Sequence, residues 1–202
     1  MEQVLSVYER PYDPQHPVVC LDESPRQLLE VKQQQQPDGT VLKDSEYIRK
    51  GVAELYMAFE PLAGKRSVRI EEDHRAKTWV KVVADLLDGQ YKDCSRMTLV
   101  EDNLSAHRPC TFYDVYEPQQ PKAYLDRIEF VFTPTHGSWL DMAEIELSVL
   151  ERDCKGCFES KEKLQEHIGA WQQRRNDKQV KANWQFTNKQ ARIKLTKLYP
   201  TT

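Results

Sequence analysis

The spacing of apolar residues along this 202-residue chain predicts a protein in which strands and helices alternate. Short runs of β-favouring residues indicate five strands. They are predicted at residues 18–22, 51–60, 67–71, 97–102 and 128–132. The segment Pro61-Leu62-Ala63-Gly64 supplies a turn between the second and third strands, which favours an antiparallel hairpin there.

Helical periodicity occupies the segments between and after these strands. His74–Tyr91 carries apolar residues at the i, i+3, i+4, i+7, i+8 spacing of an amphipathic helix, and Asp73 can cap its start. The stretch 109–121 has a helical composition interrupted by proline. Further helices are predicted at residues 2–9, 139–153, 161–175 and 188–198. Gln33–Gly39 is predicted to be a loop because a glutamine run meets a Pro-Asp-Gly turn.

Chain length and composition narrow the class of protein. A chain of this length can bury one full core, so one domain is expected. Charged residues make up 30% of the chain and no apolar run is long enough to cross a bilayer, so we expect a soluble protein. Met1–Leu5 lacks the basic and apolar regions of a signal peptide, which favours the cytoplasm. The five cysteines are expected to be reduced thiols, since Cys154 and Cys157 lack a second pair of zinc ligands nearby.

The net charge of −3 is unevenly distributed along the chain. Residues 152–202 contain twelve Lys or Arg and five Asp or Glu, which gives this segment +7 and leaves −10 for the remainder. A basic segment can neutralise phosphates, and an acidic region can bind a divalent cation. A solvated helix face explains the basic segment equally well.

Three acidic residues lie at or near the ends of apolar runs. Asp22 closes the run 18–22, Asp102 closes the run 97–102, and Glu144 lies within 139–147. Carboxylates at strand ends lie at the rim of a sheet, where α/β folds place their sites. The pattern predicts a metal-binding carboxylate triad. For any single Asp, a helix N-cap or a turn is the alternative explanation.

The segments around these acids have a specific order. Val19–Glu23, Val100–His107 and Thr133–Glu144 follow one another, with Glu54–Gly64 between the first two and Ala191–Leu195 near the end. Together they resemble the catalytic blocks of bacterial insertion-sequence transposases of the mariner superfamily, in its IS-six-thirty branch. The resemblance covers almost the whole chain.

This resemblance implies a ribonuclease-H-like fold, a mixed five-stranded sheet with helices on its faces, whereas periodicity alone indicates only a mixed α/β protein. We expect a catalytic core at 18–153, an extended or helical lead-in at 1–17, and a basic helical extension at 154–202 that packs on the core. Members of the family carry helix-turn-helix domains before the catalytic domain. Nothing in this sequence corresponds to them, so the chain is expected to be the catalytic part alone.

The resemblance also implies the cation ligands. Asp22 and Asp102 occupy the places of two metal ligands, and the implied cofactor is Mg²⁺ or Mn²⁺, bound as two ions. Alignment with the third block selects Glu144 as the third ligand. Glu146 lies roughly 200° away on a helical wheel, and the wheel alone does not decide between them. Asp141 stands where relatives usually have Asn, and it either strengthens cation binding or only marks the helix start.

Further polar residues are predicted around the ligands or along DNA. Those expected near the ligands are Asn103, His107, His136, Asp141 and Glu146. Either histidine could contact a phosphate, orient water or be an ordinary loop residue. Those expected to follow a DNA backbone are Arg174, Arg175, Lys178 and Lys181. Trp139 is interpreted as a core residue in preference to a base-stacking one.

The implied activity is hydrolysis of a phosphodiester at a transposon end, followed by joining of the freed 3′-hydroxyl to target DNA. The implied partners are both DNAs and either a second copy of the chain or a full-length transposase, with no membrane. The implied location is the bacterial cytoplasm, at the nucleoid. One alternative is a folded but non-catalytic remnant or regulatory partner. A weaker one is another ribonuclease-H-like nuclease.

Overall fold

The computed structural model describes residues 1–35, 41–105 and 107–198. The strands are β1 Val18–Gln35, β2 Val41–Glu60, β3 Lys65–Glu71, β4 Met97–Glu101 and β5 Ile128–Phe132. The helices are α1 Glu2–Tyr8, α2 Ala76–Asp88, α3 Gln119–Leu125, α4 Met142–Asp153, α5 Lys161–Asp177 and α6 Asn188–Lys194. Short 3₁₀ turns occupy Pro109–Asp114, Ser138–Leu140 and Thr196–Leu198.

The five strands form one mixed sheet in the order β3-β2-β1-β4-β5. β1, β2 and β3 pair antiparallel, whereas β4 runs parallel to both β1 and β5. This arrangement confirms the predicted ribonuclease-H-like fold. The parallel pairs bring the carboxyl ends of β1's first segment and of β4 to the same edge of the sheet.

Side-chain alternation along the central strands builds a core on each face of the sheet. Val19 and Leu21 of β1 pack with Trp79 of α2 on one face. Cys20 of β1 packs with α1, α4 and α5 on the other face, where Leu147 and Trp171 are buried. Because both faces are covered by helices, β4 is buried along its whole length.

The first two strands are much longer than the sequence predicted. β1 continues to Gln35 and β2 begins at Val41, whereas the predicted strands were 18–22 and 51–60. Gln33–Gln35, predicted as loop, belong to β1, and the rest of that predicted loop, residues 36–39, lies outside the described residues. Residues 26–35 pair with β2 alone and form a two-stranded arm beyond the main sheet. Backbone hydrogen bonds hold this arm, so its formation does not depend on an alternation of apolar and polar residues along its length.

The helix α5 packs on the edge of the sheet next to β3. Its buried residues are Leu164, Ile168 and Trp171. The Gln172 side-chain oxygen accepts a hydrogen bond from the Val68 backbone nitrogen at 2.7 Å, and so caps the free edge of β3. The predicted division into three segments stays a prediction, although α5 lies directly against the sheet. Within the described ranges, no helix is both long and apolar enough to cross a membrane.

Candidate active site

An acidic cleft opens where β1, β4 and the start of α4 meet. It has a volume of about 320 Å³. Its lining residues are Asp22, Glu23, Ser24, Asp102, Ser138, Asp141, Glu144, Leu147, Ser148 and Glu151. The three acids predicted as a triad therefore share one cleft, together with three further carboxylates.

Strand register explains why two of these acids are neighbours. Cys20 of β1 pairs with Val100 of β4, and both side chains lie in the core on the α4 face. Asp22 and Asp102 each follow two residues later. Because residues i and i+2 of a strand share a face, both carboxylates are directed to the α4 side of the sheet edge. The register thus places the two carboxylates opposite α4.

The third acid comes from the first turn of α4. This helix begins at Met142, later than the predicted 139, because Ser138–Leu140 forms a separate 3₁₀ turn. Asp141 is the N-cap, and its Oδ1 accepts a hydrogen bond from the Ala143 backbone nitrogen at 2.8 Å. Glu144 follows in the first turn and lines the cleft. Its Oε2 is buried and has no hydrogen-bond partner within the described residues.

Burial and mutual repulsion both shift the pKa values of the cleft carboxylates. Burial raises the pKa of Asp22 to about 7, and the charges of Glu23, Asp102 and Glu144 add to the rise. A hydrogen bond from the Glu23 backbone nitrogen at 2.8 Å opposes it. Burial also raises the pKa of Asp141 well above its ordinary value, with the charge of Asp22 as the next cause. A bound cation would relieve this repulsion.

The donor set suits a hard divalent cation. Mg²⁺ and Mn²⁺ prefer carboxylate oxygens, which this cleft supplies in excess. Within the described ranges, no three His, Cys, Asp or Glu side chains are arranged to hold a metal ion as they stand. The residues fit the group by chemistry and position, and their side chains must close on the ion to coordinate it.

His107 supports the cleft from behind Asp102. Its Nδ1 lies 2.9 Å from Asp102 Oδ1, and its Nε2 lies 3.2 Å from Glu23 Oε1. The ring is buried and stacks on Trp79, with centroids 5.5 Å apart. Burial lowers the pKa of His107, but the carboxylates of Asp102, Glu23 and Glu101 outweigh it and raise the pKa to about 10. The imidazolium in turn lowers the pKa of Asp102.

Two members of this assembly were missed in the sequence. Glu101 is fully buried and accepts a hydrogen bond from the Trp79 Nε1 at 2.9 Å, and burial raises its pKa to about 8. Glu23 contacts the other side of the His107 ring. Each adjoins one of the predicted acids in the chain. That adjacency was the available signal, although a carboxylate pair in a sequence does not show which member faces the cleft.

Glu146 requires a correction, because the structure places it away from the cleft. Its carboxylate is buried and forms ion pairs with Arg66 and Arg175, each at 2.7 Å. Arg175 must also be removed from the predicted DNA contacts. Its guanidinium is held by Glu146 and lies 5.2 Å from the centre of the Trp171 ring. Both residues therefore join α4 to α5 and β3.

The remaining predicted residues are exposed outside the cleft. Asn103 follows Asp102 but does not line the cleft, and His136 lines a separate depression with Trp139. Trp139 is 43% exposed and packs against Trp184, so it is not the core residue that was predicted. The remaining basic residues predicted to follow DNA are exposed on or after α5. They are Arg174, Lys178 and Lys181.

The sheet order and the acids at its edge define a ribonuclease-H-like nuclease domain. Residues 17–165 match the family model described as DDE superfamily endonuclease. The chain belongs to that family. A search among curated proteins gives no match.

Solved structures of Mos1 mariner transposase share the fold. The paired-end complex with Mn has a TM-score of 0.55 at 16% identity, over 89% of this chain and 56% of that chain. The paired-end complex with the left transposon end has a TM-score of 0.57 at 16% identity, over 89% and 58%. The strand transfer complex has a TM-score of 0.57 at 14% identity, over 89% and 58%. This chain therefore spans a little over half the length of each.

Proposed function

We propose that this chain is the catalytic domain of a bacterial insertion-sequence transposase of the mariner superfamily, in its IS-six-thirty branch. Its reaction would be hydrolysis of a phosphodiester at a transposon end, followed by attack of the freed 3′-hydroxyl on target DNA. The observation that carries this proposal is the shared register of Asp22 and Asp102, which face Glu144 across one cleft. The family match at residues 17–165 supports it.

Asp22, Asp102 and Glu144 would hold two Mg²⁺ or Mn²⁺ ions. Bound ions of this kind lower the pKa of an attacking water or hydroxyl and stabilise the leaving oxygen. The support is the excess of carboxylate oxygens, together with the raised pKa of Asp22, which burial causes first and the neighbouring acids increase. A structure of Mos1 mariner transposase solved with Mn has a similar fold.

The chain's own residues would orient this site. His107 holds the Asp102 carboxylate at 2.9 Å and the Glu23 carboxylate at 3.2 Å, which fixes the positions of two cleft residues at once. Trp79 packs on the imidazole and excludes water from that side. The Asp141 cap fixes the start of α4 and hence the position of Glu144.

DNA would approach the cleft with its phosphates along basic surface. Arg174, Lys178 and Lys181 are exposed, and residues 152–202 carry a net charge of +7. Such a segment would offset the negative charge that the cleft presents to a phosphate backbone. The paired transposon ends would bring together two copies of this chain or one copy and a full-length transposase. The site of action would be the bacterial nucleoid.

The test combines cation binding with DNA cleavage. Mn²⁺ is titrated by calorimetry into the wild type, Asp22→Asn and Asp102→Asn, and nicking of supercoiled plasmid is followed in the same buffers. Asp93→Asn is the matched control, since it neutralises an exposed acid outside the cleft.

We expect the two cleft variants to lose Mn²⁺ binding and nicking and the control to keep both. Full nicking by either cleft variant would refute the assignment. Cation binding without nicking by the wild type would favour the non-catalytic alternative.

A further inference from the structure

Asp141 differs from the other cleft residues because its two oxygens have different environments. The side chain is 1% exposed and lines the cleft beside Asp22 and Glu144. Its Oδ1 accepts the capping hydrogen bond from the Ala143 backbone nitrogen at 2.8 Å. Its Oδ2 is also buried and has no hydrogen-bond partner within the described residues. One oxygen is therefore used by the helix and the other is free.

The surroundings of Asp141 do not compensate for this free oxygen. The charged groups that act most strongly on it are the acids Asp22, Glu101 and Asp102. The Tyr8 hydroxyl, a nearby donor, gives its hydrogen to the Leu140 carbonyl at 2.6 Å. Burying a carboxylate oxygen among like charges without a donor is costly, so the site is incomplete without a cation or a proton.

Helix capping does not require this free oxygen. Asn and Ser cap helices as well as Asp does, and neither brings a second anionic oxygen into the protein. The buried Asp therefore supplies a second anionic oxygen that the helix cap does not use. Because Asp141 lines the cleft next to Asp22, its second oxygen is placed to interact with a ligand in the cleft.

We propose that Asp141 is a fourth carboxylate ligand of the divalent cation site, with Oδ2 available to the ion while Oδ1 caps α4. This inference rests on the proposed function, because it takes the cleft as the cation site. It assigns one residue two roles, so that the helix that carries Glu144 is also tied to the ion through its N-cap. Cation binding and the position of α4 are then coupled.

The experiment compares Mn²⁺ affinity across four proteins without DNA, by calorimetry and by the paramagnetic resonance signal of free Mn²⁺. They are the wild type, Asp141→Asn, Asp22→Asn and Glu151→Gln. Asn retains the side-chain shape and the capping acceptor, and it replaces the second oxygen with an uncharged NH2 group that cannot bind a cation. Glu151→Gln is the control for loss of one charge at the cleft, since Glu151 is exposed and already accepts a hydrogen bond from Ser24 at 3.0 Å.

We expect Asp141→Asn to weaken Mn²⁺ binding about tenfold or more, with thermal stability in the absence of metal unchanged or raised. Asp141→Ser, which keeps a capping hydroxyl, should show the same loss if the first variant folds poorly. Unchanged affinity in both variants, with binding lost in Asp22→Asn, would overturn this inference and leave the proposed function intact. Absence of binding in the wild type would overturn both. An equal loss of Mn²⁺ affinity in Glu151→Gln would also overturn it, because the total negative charge of the cleft would then explain the effect.

Discussion

Replacing Glu146 with Gln should destabilise the fold and leave the cation site in place. Glu146 is the shared partner of two guanidinium groups, those of Arg66 and Arg175. The Arg66 side chain is fully buried and that of Glu146 is 6% exposed. Gln keeps the shape of Glu but removes its charge, so the variant leaves a buried cation without a counter-ion.

The magnitude follows from the burial of this pair. Breaking a buried ion pair by neutralising one partner costs about 3–5 kcal/mol. Arg66 cannot turn to solvent, because its Nη2 donates to the Val180 carbonyl at 2.6 Å and its Nη1 donates to the Gly64 carbonyl at 3.1 Å. For a domain of this size 1 kcal/mol shifts Tm by about 2–4 °C. We therefore expect Tm to fall by about 6–20 °C.

Glu144→Gln is the matched comparison, since it makes the same chemical change two residues earlier in α4. Removing one charge from a crowded acidic cleft relieves repulsion, so this variant should be as stable as the wild type or more stable. It should also lose Mn²⁺ binding, which Glu146→Gln retains at temperatures where it is folded. Thermal unfolding and Mn²⁺ calorimetry on both variants separate the two roles. A stable Glu146→Gln protein that fails to bind Mn²⁺ would refute the assignment and identify Glu146, in place of Glu144, as the third ligand.

Three further outcomes are expected. The pKa of Asp22 rises from 3.8 to about 7 on folding, so the free energy of unfolding without metal should fall as pH increases from about 4 to 7. In denaturant titrations, Asp22→Asn should flatten that fall. The pKa of His107 rises from 6.5 to about 10, so the stabilising effect of its imidazolium is complete below pH 6.5 and is lost toward pH 10. The difference in free energy of unfolding between the wild type and His107→Gln should therefore shrink across that range. A constant difference would contradict the buried imidazolium. Lys178→Ala and Lys181→Ala should each reduce the salt dependence of DNA binding by about 0.9 in log–log slope, whereas Arg175→Ala should mainly lower Tm; unchanged slopes would exclude both lysines from the DNA surface.

Short-range patterns in the chain were enough to predict the helices and strands that form the core. The helix α2 and the strands β4 and β5 were predicted near their observed positions, because each packs apolar residues into the core and those residues repeat with the matching period. The two-stranded arm of β1 and β2 was missed for the converse reason. It is held by backbone pairing, and polar side chains such as those of Gln33–Gln35 carry no signal of that pairing.

The residues of the candidate site also fall into those that local sequence could identify and those that it could not. Asp22 and Asp102 could be identified because each closes a recognisable apolar run, and the alternation of side chains along a strand fixes the face to which each carboxylate is directed. The choice between Glu144 and Glu146 could not be made on a helical wheel, since the wheel does not show which side of α4 faces the cleft. The structure separates them because Glu146 meets Arg66, which lies 80 positions away in the chain. No local pattern contains that contact.

The chain's periodicities and motifs were therefore enough for the fold class and for two of the acids, since these depend on neighbours a few residues away. The roles of Glu146, of His107 between two carboxylates, and of the free oxygen of Asp141 depend on which distant groups surround each side chain. Burial determines whether a charge is costly, and the partner determines whether that cost is offset. Both are properties of the folded packing, and neither is written in the spacing of residues along the chain.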